Sequence, residues 1–191
     1  MSKHNQRAFT LIELLVVLAL LAVLLMLAAP SFRDLQRSSQ LSSHTNTLVA
    51  ALHSAKNEAI KHNSPSYLQP TDGSNWANGW IVFVDSDFDE SYSVNTDTKI
   101  MEGEALPNSL ALSGTGTAAG GTPYVSFDGS GYPRNKSSGP GNLTMTLKFN
   151  GFSGTEDIQN TRNIILAITG RVRSCRPTSA SDDNCKSSST E

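Results

Sequence analysis

The sequence is short of most of what an enzyme or a metal protein needs. Only two of its 191 residues are cysteine, Cys175 and Cys185. Their spacing fits neither CxxC nor a zinc pair. In an exported protein the default reading is one disulfide closing a short loop, the alternative being two free thiols. Three of the four histidines, His44, His53 and His62, fall nine residues apart in one helical stretch. Nine steps turn a helix by about 900°, so neighbours in this series face opposite ways and cannot share a metal. No Gly-rich loop joins a strand to a helix as a phosphate cradle, and no serine sits in a nucleophile elbow. These absences predict that the protein is not an enzyme and carries no cofactor. A formal net charge of −2 also excludes the uniformly basic composition of common nucleic-acid binders. The length allows a helix plus one ordinary domain.

What is present begins at the N-terminus. Residues 14–29 contain no charge or strongly polar group, and counting from Phe9 the apolar stretch is broken only by Thr10 and Glu13. As a helix it is roughly 30 Å long, the thickness of a bilayer core. Lys3, His4 and Arg7 precede it and no acid does, which predicts a cytoplasmic N-terminus and an outward-facing remainder. A secretory signal cleaved after Ala29 would place Leu27 at the −3 position, where a small residue is needed. A plain anchor leaves Glu13 unexplained, because a carboxylate at an apolar edge costs a few kcal/mol without a partner.

The run Ala8-Phe9-Thr10-Leu11-Ile12-Glu13, followed by apolar residues, resembles the type III signal of type IV prepilins and pseudopilins. The resemblance implies cleavage between Ala8 and Phe9 by a prepilin peptidase, N-methylation of Phe9, and pairing of Glu13 with the N-terminal amine of a neighbouring subunit during assembly. A buried carboxylate is tolerated on those terms. Ala8 stands where the family usually has Gly, and Pro30 falls where pilins carry a helix-kinking proline. Removing residues 1–8 takes Lys3 and Arg7 from the 15 basic side chains and leaves 13 against 17 acids.

Beyond Pro30, Leu41, Leu48, Leu52, Ala55 and Ala59 recur at helical spacing, with Thr45 in the gap. Asn63-Ser64-Pro65 ends the pattern. The expected organisation is a leader at 1–8, a transmembrane and assembly half-helix at 9–30, an amphipathic half-helix at 31–63 and a β-domain at 64–191. Strands are expected at 79–84, 100–104, 110–112, 124–127, 143–149 and 163–169, separated by Gly/Ser/Pro-rich turns. No helix is needed between them. The fold class is therefore α+β, with a long helix packed on one antiparallel sheet or a small two-sheet domain.

Three segments, Trp76-Ala77-Asn78-Gly79-Trp80-Ile81-Val82-Phe83-Val84-Asp85, Phe127-Asp128-Gly129-Ser130-Gly131 and Ile168-Thr169-Gly170-Arg171-Val172-Arg173, resemble the minor pseudopilin family that includes GspH and FimT. Asp85, Asp87, Asp89 and Glu90 suggest calcium by their alternation. The EF-hand pattern fails, however, at Glu90 and Thr96, so a solvated acidic loop is expected.

From Gln159 to Ser181 there are four arginines, Arg162, Arg171, Arg173 and Arg176, and no acid. If Arg171 and Arg173 continue the last strand, they face one way about 7 Å apart and can contact neighbouring phosphates. Gly170 would then leave room for a ligand or mark a bulge, and a Cys175–Cys185 link would pin the following loop. The Gly170-Arg171-Val172-Arg173 tetrad resembles the GRxR motif of FimT-type pilins, implicated in DNA uptake during natural transformation. The resemblance implies that Arg171 and Arg173 bind double-stranded DNA. Arg176 and Lys186 lie outside the motif, and their charge alone suggests that they extend the basic patch. Two functions remain open: a DNA-binding minor pilin, or a GspH-like pseudopilin of a type II secretion system or assembly-priming subunit without DNA binding. The expected partners are DNA, other pilins and the prepilin peptidase. The expected location is the inner membrane with a periplasmic domain, then the pilus surface.

Overall fold

The computed structural model describes residues 9–185, and its chain divides into two compact units, Met1–Ser39 and Gln40–Glu191. Helix α1, Leu11–His62, runs through both. In the first unit, the Thr10 amide and hydroxyl both donate to the Glu13 carboxylate, at 2.9 and 2.8 Å. The Glu13 amide returns a bond to Thr10 Oγ1. This reciprocal capping box satisfies the first free amides of the helix. The large apolar side chains that follow, from Leu11 to Met26, are all exposed, as expected of a segment whose partner is lipid or another helix. The helix is bent between Met26 and Ser31, the stretch that contains Pro30. No single helix among the described residues is long and apolar enough to cross a membrane, although the bent pair Leu11–Met26 and Ser31–His62 is, by length and composition.

The second unit has its own core. Leu41, Thr45, Leu48, Ala51, Leu52, Ala55 and Ala59 are buried along one stripe of α1. The stripe begins at Leu41, just inside the second unit. Asn63, at φ 48, ends the helix. Its amide donates to Ile60 O and that of Ser64 to Ala59 O, a Schellman arrangement.

The chain then builds β1 (Ser66–Pro70), β2 (Trp80–Val84), β3 (Thr98–Gly103), β4 (Leu110–Gly114), β5 (Val125–Phe127), β6 (Pro133–Arg134), β7 (Leu143–Phe149), β8 (Thr161–Leu166) and β9 (Val172–Cys175). They form two sheets, ordered β3-β2-β1-β5-β6 and β4-β7-β8-β9, and every pairing is antiparallel. Alternate residues of both sheets join the helix stripe in one core: Leu68, Val82, Val125 and Phe127 from the first, and Leu112, Met145, Leu147, Ile164 and Leu166 from the second. On the opposite face of the first sheet Tyr67, Ile81 and Phe83 form a smaller cluster, flanked by Tyr92 and Tyr124.

The expected α+β fold is present as a helix on two sheets. Three strands, β1, β6 and β9, lie outside the expected set, and a short helix, α2 (Gly154–Gln159), interrupts the β7–β8 connection where none was expected. Six residues are too few to show a helical period, and β7 and β8 remain antiparallel around it.

Candidate nucleic-acid interface

The arginine motif does not continue a strand. β8 stops at Leu166 and the chain reverses. The Gly170 amide donates to Ala167 O at 2.9 Å and the Ala167 amide to Arg171 O at 3.0 Å. β9 then runs back along β8, with Leu166 opposite Val172, Ile165 opposite Arg173 and Asn163 opposite Cys175. This is a hairpin with a three-residue loop, 168–170, whose last residue is a glycine at φ +75. The reversal places Arg171 at the exit of the turn and Arg173 on an edge strand.

Gly170 also departs from its expected role. A Cβ there would stand 2.5 Å from Gly131 O and 3.0 Å from Lys56 Nζ. The space beside it is filled by protein, and Gly170 is buried. It is the joint by which the 168–170 turn packs against the 128–132 turn. Lys56 Nζ, from α1, donates to Gly170 O at 2.9 Å and ties the joint to the helix. The 128–132 turn is held in the same manner. Asp128 Oδ1 accepts the Ser130 and Tyr132 amides, and Oδ2 accepts Arg134 Nε at 2.8 Å. Burial alone would raise the Asp128 pKa; the Arg134 ion pair and the two amides outweigh it and hold it below the usual carboxylate range.

The arginines have different surroundings. Arg171 is exposed and Arg173 half-buried. Arg173 Nη1 donates to Asn184 O at 2.7 Å, which fastens β9 to the loop that follows. That loop is closed by the Cys175–Cys185 disulfide, with Cα atoms 5.8 Å apart. It is sewn onto the outer face of the second sheet by Asn163 Nδ2 to Cys185 O, 2.6 Å, and Thr146 Oγ1 to Asn163 Oδ1, 2.9 Å. Arg176 lies past β9 and neighbours Arg162. Burial first, and then the charge of Arg176, push the Arg162 pKa down. The structure therefore brings Arg171 and Arg173 together along β9 and groups Arg176 with Arg162. The loop also carries acids: Asp182 and Asp183 immediately precede Asn184. Asp182 is held below its ordinary pKa by the Thr178 amide and hydroxyl. Lys186 and Ala8 lie outside the described residues. Phe9 is exposed, and Glu13 is engaged by Thr10 as described above.

The acidic loop is built differently from expectation. Asp85 is 1% exposed, and its two carboxylate oxygens accept the amides of Phe88, 2.7 Å, and Glu90, 3.0 Å. Burial raises its pKa. Asp97 accepts the Ser86 and Ser93 amides. These carboxylates shape the loop from within, although carboxylate oxygens of Asp85, Asp87 and Asp89 all lie within 4.8 Å of one another.

Two contributors to the arginine site escaped the sequence reading. Lys56 is 114 residues from Gly170, and no local pattern joins them. Tyr132 follows the Asp-Gly-Ser-Gly turn, and its ring lies under the Arg134 guanidinium at 5.9 Å.

A family model described as type II transport protein GspH matches residues 44–170, so it ends where the arginine pair begins. A second, described as the prokaryotic N-terminal methylation motif, matches residues 3–29. The chain is 29% identical over 171 residues to a pilin-like protein, PilA1, of Thermus thermophilus, covering 88% of this chain and 98% of the relative. The fold is similar to that of the type IV minor pilin FimU of Pseudomonas aeruginosa, with a TM-score of 0.56 and 18% identity over 74% of this chain and 91% of FimU. It is also similar to that of EpsH, a minor pseudopilin of the Vibrio cholerae type 2 secretion system, with a TM-score of 0.52 and 12% identity over 72% of this chain and 97% of EpsH.

Proposed function

We propose, from the premise that the chain belongs to the type II transport protein GspH family and is a minor type IV pilin or pseudopilin, that it is of the FimT type and binds DNA through the β8–β9 hairpin. In this reading it works by assembly and binding, without catalysis. A prepilin peptidase cleaves it between Ala8 and Phe9, and Phe9 is methylated. Glu13 pairs with a neighbouring subunit's N-terminus, and α1 enters the filament beside other pilins. Before assembly the chain spans the inner membrane once, with its β-domain periplasmic. Afterwards that domain is displayed on the pilus.

The observation that carries the reading is the mounting of Arg171. It stands exposed at the exit of a turn whose backbone is packed on Gly131 and held by Lys56, and it leads into a strand tied to a disulfide-closed loop. A cation on a fixed support loses little conformational freedom when it meets a phosphate. Arg173 braces the loop through Asn184 O and adds its positive charge two residues from Arg171. Contacts of this kind give weak, salt-sensitive binding to double-stranded DNA, independent of sequence. The test is a mobility-shift titration of residues 36–191, which include the whole buried core, against duplex DNA at low and moderate salt. Binding by the wild type that salt weakens, and its loss in Arg171→Gln/Arg173→Gln, is the expected result. Unchanged binding by the double variant removes the site.

A second reading is favoured by a specific observation. Gly170 is used in packing and Arg173 in a loop contact, so the motif also serves the architecture of a GspH-like pseudopilin of a type II secretion system or an assembly-priming subunit. That reading predicts no DNA binding by the wild type even at low salt.

A further inference from the structure

Beside the arginines lies an apolar component that phosphate contacts do not use. Among the described residues of the β-domain unit few large apolar side chains remain exposed, and three of them surround the joint between the two turns. They are Ile60 at 48%, Tyr132 at 48% and Ile168 at 50% exposed. Ile60 lies in the last turn of α1, and its Cδ1 lies 2.7 Å from where a Gly131 Cβ would stand. Tyr132 follows Gly131 directly. Ile168 sits two residues before Gly170, which abuts Gly131 O. Lys56, Arg134 and Arg171 border the same joint.

The tyrosine is held in place. Its amide donates to Asp128 Oδ1 and its carbonyl accepts the Asp128 amide. The Arg134 guanidinium lies over its ring and is itself anchored by Asp128. An aromatic ring backed by a guanidinium on one face and left half-exposed, with cations around it, has the composition of a stacking platform for nucleobases. In a duplex the base faces are stacked on one another and only phosphates and groove edges are within reach. In a single strand the base faces are available.

Building on the DNA-binding reading, we propose that Tyr132, flanked by Ile168 and Ile60, stacks unpaired bases while Arg171 and Lys56 meet the adjoining phosphates, so that this surface takes single-stranded DNA or frayed strand ends in preference to duplex. Duplex engages the cations alone; a single strand engages cations and ring together.

The test is fluorescence anisotropy of the full chain in detergent micelles with a labelled oligothymidylate and a labelled duplex of equal length, at one salt concentration. Wild type, Tyr132→Ala, Tyr132→Phe and Arg171→Gln are compared. The expected result is tighter binding of the single strand by wild type. Tyr132→Ala then lowers single-strand affinity by roughly tenfold and leaves the duplex unchanged, while Tyr132→Phe keeps the preference and Arg171→Gln weakens both. Equal affinity of wild type for both probes, or a Tyr132→Ala variant that changes neither or both alike, overturns the stacking platform and leaves the DNA-binding reading standing. A surface serving only contacts with neighbouring pilins would give that second pattern together with impaired filament incorporation. Binding of neither probe by wild type overturns the DNA-binding reading itself.

Discussion

The acidic loop after β2 and the arginine hairpin after β8 are both clusters of one charge sign at the end of an apolar strand, yet they are built in opposite ways. In the acidic loop the charged groups hold the backbone: Asp85 and Asp97 accept four amides of the segment between them. In the hairpin the backbone is held by other means, namely a glycine joint, the Lys56 ammonium and a disulfide-closed loop. There Arg171 stands at the surface. The lesson is that a run of like charges identifies neither a site nor a solvated loop. What decides is whether the backbone amides and carbonyls are satisfied by those charges or independently of them.

The contrast can be broken most forcefully at Asp85. Asp85→Ala removes the buried carboxylate that accepts the Phe88 and Glu90 amides and should destabilise the domain by about 3 kcal/mol, read by urea or thermal unfolding. Arg171→Gln should move the same measurement by less than about 0.5 kcal/mol. A smaller effect is expected at the joint. Gly170→Ala combines a left-handed φ with a Cβ 2.5 Å from Gly131 O, and should cost about 2 kcal/mol and weaken DNA binding without removing a charge. Lys56→Met deletes the bond to Gly170 O and should cost about 1 kcal/mol, with a modest fall in DNA affinity.

The fold was legible where the signal is periodic and local. The helix stripe from Leu41 to Ala59, the alternation of β7 and the apolar runs of β2 and β8 all reported their elements, and the Cys175–Cys185 link is present. The acidic cluster and the hairpin were legible only as composition. Asp85 is buried where the Phe88 and Glu90 amides fold back onto its carboxylate. β9 lies outside the expected strands because the sequence lets Arg171 and Arg173 continue the strand before them, with Gly170 as ligand space or a bulge, although a glycine four residues past the end of β8 also fits a hairpin reversal. β1, bounded by Pro65 and Pro70, has no local pattern that marks it as the centre of a sheet. Contacts such as Lys56 to Gly170 and Arg173 to Asn184 O are long-range pairings that the fold creates.

The smallest expected effect extends the comparison to pH. Asp72, another acid wound into its own turn, is held down to about 2 by the Asn75 amide, the Asn78 side chain and the Ser74 amide. A lowered folded pKa means that its contribution is complete above the unfolded value near 4 and is lost as pH falls through about 2. Asp72→Asn should therefore flatten the acid-side loss of thermal stability across that window. Asp85, raised by burial, works the other way and gains stability as it takes up its proton.

The central claim is that Arg171 meets a DNA phosphate. The most direct measurement is the slope of the logarithm of the duplex association constant against the logarithm of salt concentration, for wild type and Arg171→Gln. The account predicts that the variant's slope is shallower by about 0.9, the loss of one phosphate contact. Equal slopes would contradict it and leave the hairpin as a piece of filament architecture.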